Sequence, residues 1–194
     1  MDDIAKAIQI LKDGGVVIFP TDTAFGIGCR IDDEEAVKRL FTIRKRSETK
    51  AVPVLVSSLH MAQEYLQEVP QEVIQKLMQP YWPGALTIVL RSKVDKVPDL
   101  VRGGGESLGV RVPDHLTTLA LINSVGVPLV GTSANFAGGV TPYTFESLDK
   151  ELVKLVDFVV SGECHTLLAS TVIDCTVTPW KILRSGAVEF GSIF

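Results

Sequence analysis

The 194-residue sequence has no apolar run near the roughly 20 residues that a membrane-spanning helix requires, which argues against a membrane protein. Its first ten residues, MDDIAKAIQI, are acidic at the start and helical in period, so we expect no signal peptide. Cysteine is scarce as well. Cys29, Cys164 and Cys175 are an odd number at unrelated spacings, which predicts reduced thiols in a cytoplasmic protein rather than disulfides or a zinc site.

Recognisable metal and nucleotide motifs are also missing. The three histidines, His60, His115 and His165, are scattered, and the neighbours Cys164 and His165 have the wrong spacing for a metal motif. We therefore interpret Cys164 and His165 as structural or incidental. The glycine-rich stretch GGGES, residues 103–107, lacks the Lys-Ser/Thr pair of a P-loop and does not open a clear helix. If a nucleotide binds, it binds by another route.

Net positive charge is absent, because 19 basic residues face 23 acidic ones for a net charge of −4. This argues against a surface that is basic throughout, although not against a local basic cleft. The segment RKRSETK, residues 44–50, places four cations in seven residues. Three roles are open for it: binding RNA, binding a nucleotide polyphosphate, or solvating a helix end, which is the commonest role of such runs. Because S-E-T favours a turn, Arg46 and Lys50 would project from a loop, where phosphate ligation is geometrically easy.

Helical and strand patterns alternate along the chain. Apolar residues at helical spacing, ending at Gly14-Gly15, predict a first helix. Short apolar runs predict strands at residues 16–19, 52–56, 86–90, 108–112, 128–131, 157–160, 171–174 and 180–184. Helical patterns lie between most of them, including residues 59–67, 71–79, 115–125 and 145–155. The alternation predicts an α/β fold with a twisted, mixed parallel and antiparallel sheet flanked by helices. Without repeats or linkers, residues 1–194 are predicted to form a single domain.

Polar clusters stand where predicted strands end, which is where ligands usually bind in α/β sheets. They are PTDTAFGIG (20–28), SLGVRVP (107–113) and GTSAN (131–135). Taken singly, their Thr, Asp, Ser and Asn residues have an ordinary explanation as turn and cap residues. Arg111 is different, because an arginine inside an apolar strand must reach a partner or water. Arg184 raises the same question at the end of the last strand.

Six motifs then occur in a distinctive order: PTDT, a basic K/R-x-R-x-x-x-K segment, S-x-x-x-R-V-P, S-A-N, S-T-V and L-R-x-G. In this combination the sequence resembles the Sua5/YrdC/TsaC family of threonylcarbamoyl-AMP synthases, from the first helix to Arg184. The resemblance implies a twisted mixed sheet around a large concave groove. It also implies synthesis of L-threonylcarbamoyladenylate from L-threonine, bicarbonate or CO2, and ATP, with release of pyrophosphate.

The same resemblance implies a place in tRNA modification. The product is the activated intermediate for t6A, the modified base next to the anticodon, so tRNA and other t6A-pathway proteins are implied partners. Mg2+ is the implied cofactor, carried on the ATP phosphates and held mostly by oxygens of substrate and water. No residue is expected as a nucleophile or general base, because phosphoryl-type transfer relies mainly on positioning and charge neutralisation.

The site residues implied by the resemblance divide into two groups. The ATP-binding group is Arg44, Arg46, Lys50, Ser107, Ser133, Asn135, Thr141 and Arg184. The threonine-binding group is Thr23, Arg111, Gly131 and Ser170. The sequence departs from the family pattern at three positions: Phe25 replaces a frequent Tyr, Ala169 a frequent Glu, and Leu55 a threonine-contacting His of some members.

Two alternatives to the synthase remain open at this point. The first is a non-catalytic module that binds double-stranded RNA or tRNA through a basic groove. The second is a carbamoyl-AMP-forming relative of the kind found inside hydrogenase maturation proteins, although the zinc-finger and other domains of those proteins are absent from this sequence.

Overall fold

The computed structural model describes residues 3–190 and confirms the predicted α/β architecture. Nine strands of this range form one sheet: β1 (Val17–Phe19), β2 (Gly26–Arg30), β3 (Val54–Leu55), β4 (Leu86–Arg91), β5 (Ser107–Arg111), β6 (Leu129–Ser133), β7 (Phe158–Val159), β8 (Thr171–Asp174) and β9 (Lys181–Arg184). Their order across the sheet is β7-β1-β2-β6-β3-β5-β4-β8-β9. Three neighbouring pairs are parallel (β7/β1, β3/β5 and β4/β8), and the other five are antiparallel, so the sheet is mixed as predicted.

The helices connect and cover these strands. They are α1 (Asp3–Lys12), α2 (Glu34–Arg44), α3 (Leu59–Tyr65), α4 (Gln71–Val73), α5 (Gln79–Tyr81), α6 (Asp99–Arg102), α7 (Leu116–Val125) and α8 (Lys150–Val153). A π-helical segment, Ile74–Met78, joins α4 to α5, and a 3₁₀ turn, Phe145–Ser147, precedes α8. The predicted helix over 145–155 is thus only the 3₁₀ turn and one turn of α-helix. No helix within residues 3–190 is long and apolar enough to cross a membrane.

Side chains that alternate along the strands build a core on each face of the sheet. On one face Phe19 of β1 packs with Leu11 of α1 and Leu121 of α7. On the other face Ile18 of β1 packs in the larger core with Leu40 of α2. The sheet is therefore covered by helices on both sides, and its strand ends are left to form the cleft described below.

The sequence pattern missed strand β2, because its residues GIGCR contain two glycines and lie in the polar cluster 20–28. The structure shows why glycine is needed there. A Cβ on Gly28 would lie 2.0 Å from the carbonyl oxygen of Val130 on β6. The glycine allows β2 and β6 to approach, and their close pairing (Gly26↔Ser133, Gly28↔Gly131) brings the two polar motifs together at one end of the sheet.

Candidate functional site

An open cleft lies where β2, β6, β5, β4, β8 and β9 end, which confirms the expected concave groove. Nine of the twelve residues predicted for the site line it: Thr23, Arg44, Arg46, Arg111, Gly131, Ser133, Thr141, Ser170 and Arg184. These residues are up to 161 positions apart in the sequence, from Thr23 to Arg184, and only the sheet topology brings them together. Their assignment to ATP or threonine stays a prediction.

The basic segment divides at the end of α2. Asp33 caps the start of this helix, and Lys45 at its end adopts a left-handed conformation with φ of 52°. That turn sends neighbouring side chains in different directions. Arg44 and Arg46 line the cleft, whereas the ammonium of Lys45 lies 4.9 Å from the ring centroid of Phe136. The cations at 44 and 46 are therefore part of the cleft wall, and the one at 45 is not.

Arg44 is held in place by neutral groups on β6 and the loop after it. Its Nε donates to the backbone oxygen of Asn135 at 2.9 Å, and Nη1 donates to Oγ1 of Thr132 at 2.7 Å. Its side chain is nearly inaccessible, with the residue 3% exposed. Burial, with a smaller effect of Arg46, lowers the pKa of the Arg44 guanidinium to about 10. A lowered pKa means that the site would gain free energy from an anion beside this cation.

Arg46 and Arg184 are in the same electrostatic situation. The guanidinium of Arg46 donates to the carbonyl oxygens of Lys50 (3.1 Å) and Ala51 (2.6 Å), and burial lowers its pKa. Arg184 donates to the backbone oxygen of Ser170 at 3.0 Å and to its hydroxyl at 2.9 Å. Burial, and then the charge of Arg111, lowers the pKa of Arg184.

The arginines of this chain fall into two groups by their partners. Among the described residues, five of the eight pair with a carboxylate: Arg30 with Asp32, Arg39 with Asp157, Arg91 with Glu106, Arg102 with Asp99 and Arg111 with Asp22. The three without such a partner are Arg44, Arg46 and Arg184, and all three line the cleft. Arg44 is buried, Arg46 is half-buried and Arg184 is exposed. Because a cation withdrawn from water is costly without counter-charge, and three such cations stand together, this wall is suited to a polyanion.

Arg111 meets the expectation of a partner inside its apolar strand. Its Nε donates to the carbonyl oxygen of Gly84 and its Nη1 to Oγ1 of Thr23, both at 2.8 Å, and Nη2 pairs with the carboxylate of Asp22. The residue is only 6% exposed. A guanidinium has five N–H donors, so two remain for a ligand. That number suits a carboxylate bound through two parallel hydrogen bonds.

Within the PTDT motif, one residue stabilises the local turn and the next two contact the guanidinium of Arg111. Thr21 is a turn former: its Oγ1 donates to the carbonyl oxygen of Ala24 at 2.6 Å and accepts the amides of Thr23 and Ala24, each at 3.2 Å. Asp22 fixes Arg111, and Thr23 faces the cleft beside it. The sequence reasoning did not include Asp22 among the site residues, because its partner Arg111 is 89 positions away in the sequence and only the fold brings the two together.

Three predicted residues do not line the cleft. Ser107 is the first residue of β5 and pairs with Arg91. It is four residues before Arg111, and at about 3.3 Å per residue this places it roughly 13 Å along the strand from Arg111. Lys50 has an exposed side chain, and its contact with Arg46 is made by its backbone oxygen. Asn135 is buried behind Arg44. Their nucleotide-binding roles stay predictions.

The cleft also contains residues that sequence reasoning missed. Pro53, Thr87 and Thr132 line it without having been predicted. Thr132 stands inside the quoted GTSAN motif, and Thr87 is a polar residue in an apolar strand, the same signal that singled out Arg111. Leu55 is buried and packs so closely on Gly131 that a Cβ on Gly131 would lie 2.4 Å from the leucine Cγ.

No group of three or more His, Cys, Asp and Glu residues within the described range is arranged to hold a metal ion. The rings of His115 and His165 stack with centroids 5.5 Å apart, outside the cleft lining. Cys164 is buried near them as a free thiol. The backbone amides of His165 and Thr166 donate to the backbone oxygen of Asp22, at 3.2 and 2.8 Å. The loop carrying these residues thus holds the backbone of Asp22 through two hydrogen bonds.

Comparison with known proteins gives a consistent result. The sequence profile of the Sua5/YciO/YrdC family, described as "Telomere recombination", matches residues 9–186. The threonylcarbamoyl-AMP synthase of Bacillus subtilis (strain 168) is 31% identical over 186 residues, which cover 95% of this chain and 54% of that protein. The enzyme of the same name from Xanthomonas axonopodis pv. citri (strain 306) is 34% identical over 172 residues, covering 88% of this chain and 91% of the relative.

Solved structures agree with the sequence relatives. The crystal structure of P. abyssi Sua5 complexed with L-threonine has a TM-score of 0.87 at 31% identity, covering 94% of this chain and 54% of that one. E. coli YciO has a TM-score of 0.84 at 28% identity, covering 94% of this chain and 88% of its own. The chain thus spans about half the length of the Bacillus and Pyrococcus proteins. With the profile match extending from α1 to beyond Arg184, the chain belongs to the Sua5/YciO/YrdC family.

Proposed function

We propose that this chain is an L-threonylcarbamoyladenylate synthase, a nucleotidyltransferase that uses L-threonine, bicarbonate or CO2, and ATP. The observation that carries the proposal is the pairing of two anion sites in one cleft. Three arginines without a carboxylate partner among residues 3–190 form one site, and Arg111, with two N–H donors that no described residue uses, forms the other. Relatives of this name, and a related structure with bound L-threonine, support the same assignment.

Arg111 is the group that would bind the threonine carboxylate. Asp22, Thr23 and the carbonyl oxygen of Gly84 hold its guanidinium from three directions, so its orientation is established before the ligand arrives. Preorganised donors of this kind reduce the entropy lost on binding. Gly131 lines the same cleft, and the missing side chain leaves the space that Leu55 fills.

Arg44, Arg46 and Arg184 would bind the triphosphate, with Ser133 and Thr141 beside them in the lining. In the reaction, the threonine amine combines with bicarbonate to give a carbamate and water. A carbamate oxygen then attacks the α-phosphorus of ATP in line, and pyrophosphate leaves. The arginines neutralise charge on the transferring and leaving groups and hold them in position, which is the main requirement of phosphoryl-type transfer. The arrangement requires no His or Cys nucleophile.

The cleft fits Mg2+ only as a companion of ATP. Its lining offers hydroxyl oxygens and no carboxylate among the described residues, and the nearby acid, Asp22, is committed to Arg111. Mg2+ prefers to keep several waters and to bind through substrate phosphates. When bound in this way, the ion would add charge neutralisation at the phosphates, and we assign it no protein ligand.

The non-catalytic RNA-binding module receives less support. Of the four cations in residues 44–50, two turn into the cleft and Lys45 lies over an aromatic ring. That leaves little outward basic surface for a duplex backbone. The proposed function includes delivery of the product to the enzymes that form t6A in tRNA. It also includes contacts with tRNA or other proteins of that pathway, to which we assign no particular surface.

A pyrophosphate-release assay tests the proposal. We expect release to require ATP, L-threonine and bicarbonate together, and to stop when any one is omitted. ATP turnover that is indifferent to threonine would refute the synthase. In that event tRNA is titrated at two salt concentrations, because RNA binding through phosphate contacts weakens as salt rises. Salt-dependent tRNA binding without turnover would establish the alternative function instead.

A further inference from the structure

The four adjacent strands β5, β4, β8 and β9 each contribute one residue to a row across the sheet. The row consists of Arg111, Thr87, Val172 and Arg184. The register Ile88↔Val110 brings Thr87 of β4 to the end of the ladder beside Arg111 of β5. On the other side Thr87 pairs with Val172 of β8, and Val172 pairs with Arg184 of β9. Ser170, two residues before Val172, projects on the same face of β8. Thr87 is thus the link between the carboxylate-binding arginine and the polyanion-binding side.

Hydrogen bonds join this row. Oγ1 of Thr87 lies 2.9 Å from Oγ of Ser170, and Nη2 of Arg184 donates to the same Ser170 oxygen at 2.9 Å. The Thr87 residue is 3% exposed and its hydroxyl makes no other hydrogen bond with described residues, yet it lines the cleft. A buried hydroxyl on a cleft wall with one partner is available to a ligand.

Proton counting specifies what this pair offers. If Ser170 donates to Thr87, the Thr87 proton is left for the cleft. If Thr87 donates to Ser170, then Ser170 accepts twice, from Thr87 and Arg184, and its own proton is left for the cleft. Either way one O–H donor points away from the pair. An O–H donor beside Arg111 is complementary to an oxygen of an amino acid whose carboxylate that arginine holds.

We propose that Thr87 is a positioning residue that directs this hydroxyl donor at the amino-acid substrate, an inference that rests on the proposed synthase function. Without the Thr87 oxygen, Ser170 keeps only Arg184 as a partner and its proton can rotate. The amino-acid half of the site would lose a fixed hydrogen bond. The triphosphate half would not, because Arg184 still donates to both the hydroxyl and the backbone oxygen of Ser170.

Thr87→Val and Thr87→Ser make a matched pair of variants. Valine has nearly the shape of threonine, suits a β-strand and removes only the hydroxyl. Serine keeps the hydroxyl and removes only the methyl group. Since Ser170 retains Arg184, neither change leaves a buried group without any partner, and we expect both variants to fold. Thr87→Ala removes the same hydroxyl and serves as a second test should the valine variant not fold.

Pyrophosphate release is measured with threonine varied at saturating ATP, and then with ATP varied at saturating threonine. Loss of one directed hydrogen bond should raise the KM for threonine about five- to tenfold in Thr87→Val. The KM for ATP should stay unchanged, and Thr87→Ser should behave like the unmodified protein. A threonine KM unaffected by removal of the hydroxyl, or equal increases in both KM values, would overturn the inference while leaving the synthase proposal intact. Absence of threonine-dependent release from the unmodified protein would instead overturn the proposed function.

Discussion

Asn135 holds Arg44 from behind the cleft and does not reach into it. The guanidinium donates through Nε to the Asn135 backbone oxygen at 2.9 Å and through Nη2 to its Oδ1 at 3.3 Å. The side-chain amide nitrogen of Asn135, Nδ2, donates to the backbone oxygens of Phe136 and Gly139, both at 2.8 Å. Both amide protons are thus in use. One side chain therefore orients a cation of the cleft wall and shapes the loop that follows β6.

This arrangement predicts that Asn135→Asp weakens ATP binding. A carboxylate at this position would pair with Arg44 and neutralise part of the cationic wall, and it could not donate to the loop carbonyls. We expect a decrease in ATP affinity of about tenfold, the scale of a charge-assisted hydrogen bond, measured by calorimetry. Asn123→Asp, which adds the same charge at an exposed position of α7, is the matched control. Equal ATP affinities of the two variants would contradict the assigned role.

The division of the basic segment predicts different effects for neighbouring cations. Arg46→Ala should lower ATP affinity by about tenfold or more, because it removes a half-buried cation that has no carboxylate partner. Lys45→Ala removes an equal charge one position away, yet it should change ATP affinity little, since its ammonium lies over the Phe136 ring. Nucleotide titrations of both variants at one salt concentration provide the comparison. A larger loss for Lys45→Ala would reverse the assignment.

The parts of this site that could be predicted are those whose signal is local. Apolar runs identified the strands, and the cost of burying an unpaired charge singled out Arg111. Strand β2 was missed because its glycines carry no apolar pattern, and the reason for Gly28 lies on β6, more than a hundred residues away. Thr87 stands out locally as a polar residue in an apolar strand, but its neighbours Arg111 and Ser170 are brought to it only by the register of β4 with β5 and β8. Ser107 shares a strand with Arg111, and four residues at about 3.3 Å each already separate them by roughly 13 Å, so the strand spacing could have placed Ser107 away from Arg111.

Asp157 fastens three parts of the fold outside the cleft. Its carboxylate pairs with Arg39 of α2, with contacts of 2.5 and 2.9 Å, and accepts the amide of Val16, before β1, at 2.7 Å. The hydrogen bond from Arg39 is the main cause that lowers the pKa of Asp157. Because its folded-state pKa is lowered, the carboxylate contributes stability above its ordinary pKa. That contribution is lost as the pH falls through the folded value.

We therefore predict that Asp157→Asn lowers the free energy of unfolding at neutral pH and has a shrinking effect in acid. The pair is partly exposed, with side chains 43% and 34% accessible, so the neutral-pH loss should be about 1 kcal/mol. Urea denaturation at several pH values measures it. Asp95→Asn, which removes a carboxylate at an exposed position without an ion pair in the described part of the chain, is the matched control. A loss that is equally large in acid would exclude the ion pair as its cause.

The buried pair of Asp22 and Arg111 predicts separable effects on stability and on binding. Arg111→Ala leaves a buried carboxylate without its partner and should destabilise the fold by about 3–5 kcal/mol, whereas the Asp22→Asn/Arg111→Ala double variant should lose less than the sum of the single changes.

Threonine binding should follow a different pattern. Asp22→Asn keeps an oxygen that accepts from Nη2, so Arg111 stays in place and threonine still binds. In folded Arg111→Ala, at a temperature where it remains native, calorimetry should show threonine affinity reduced at least about 30-fold, with ATP binding retained. Unchanged threonine affinity in that variant would refute Arg111 as the carboxylate ligand, and a comparable loss in Asp22→Asn would mean that the aspartate itself contacts the substrate.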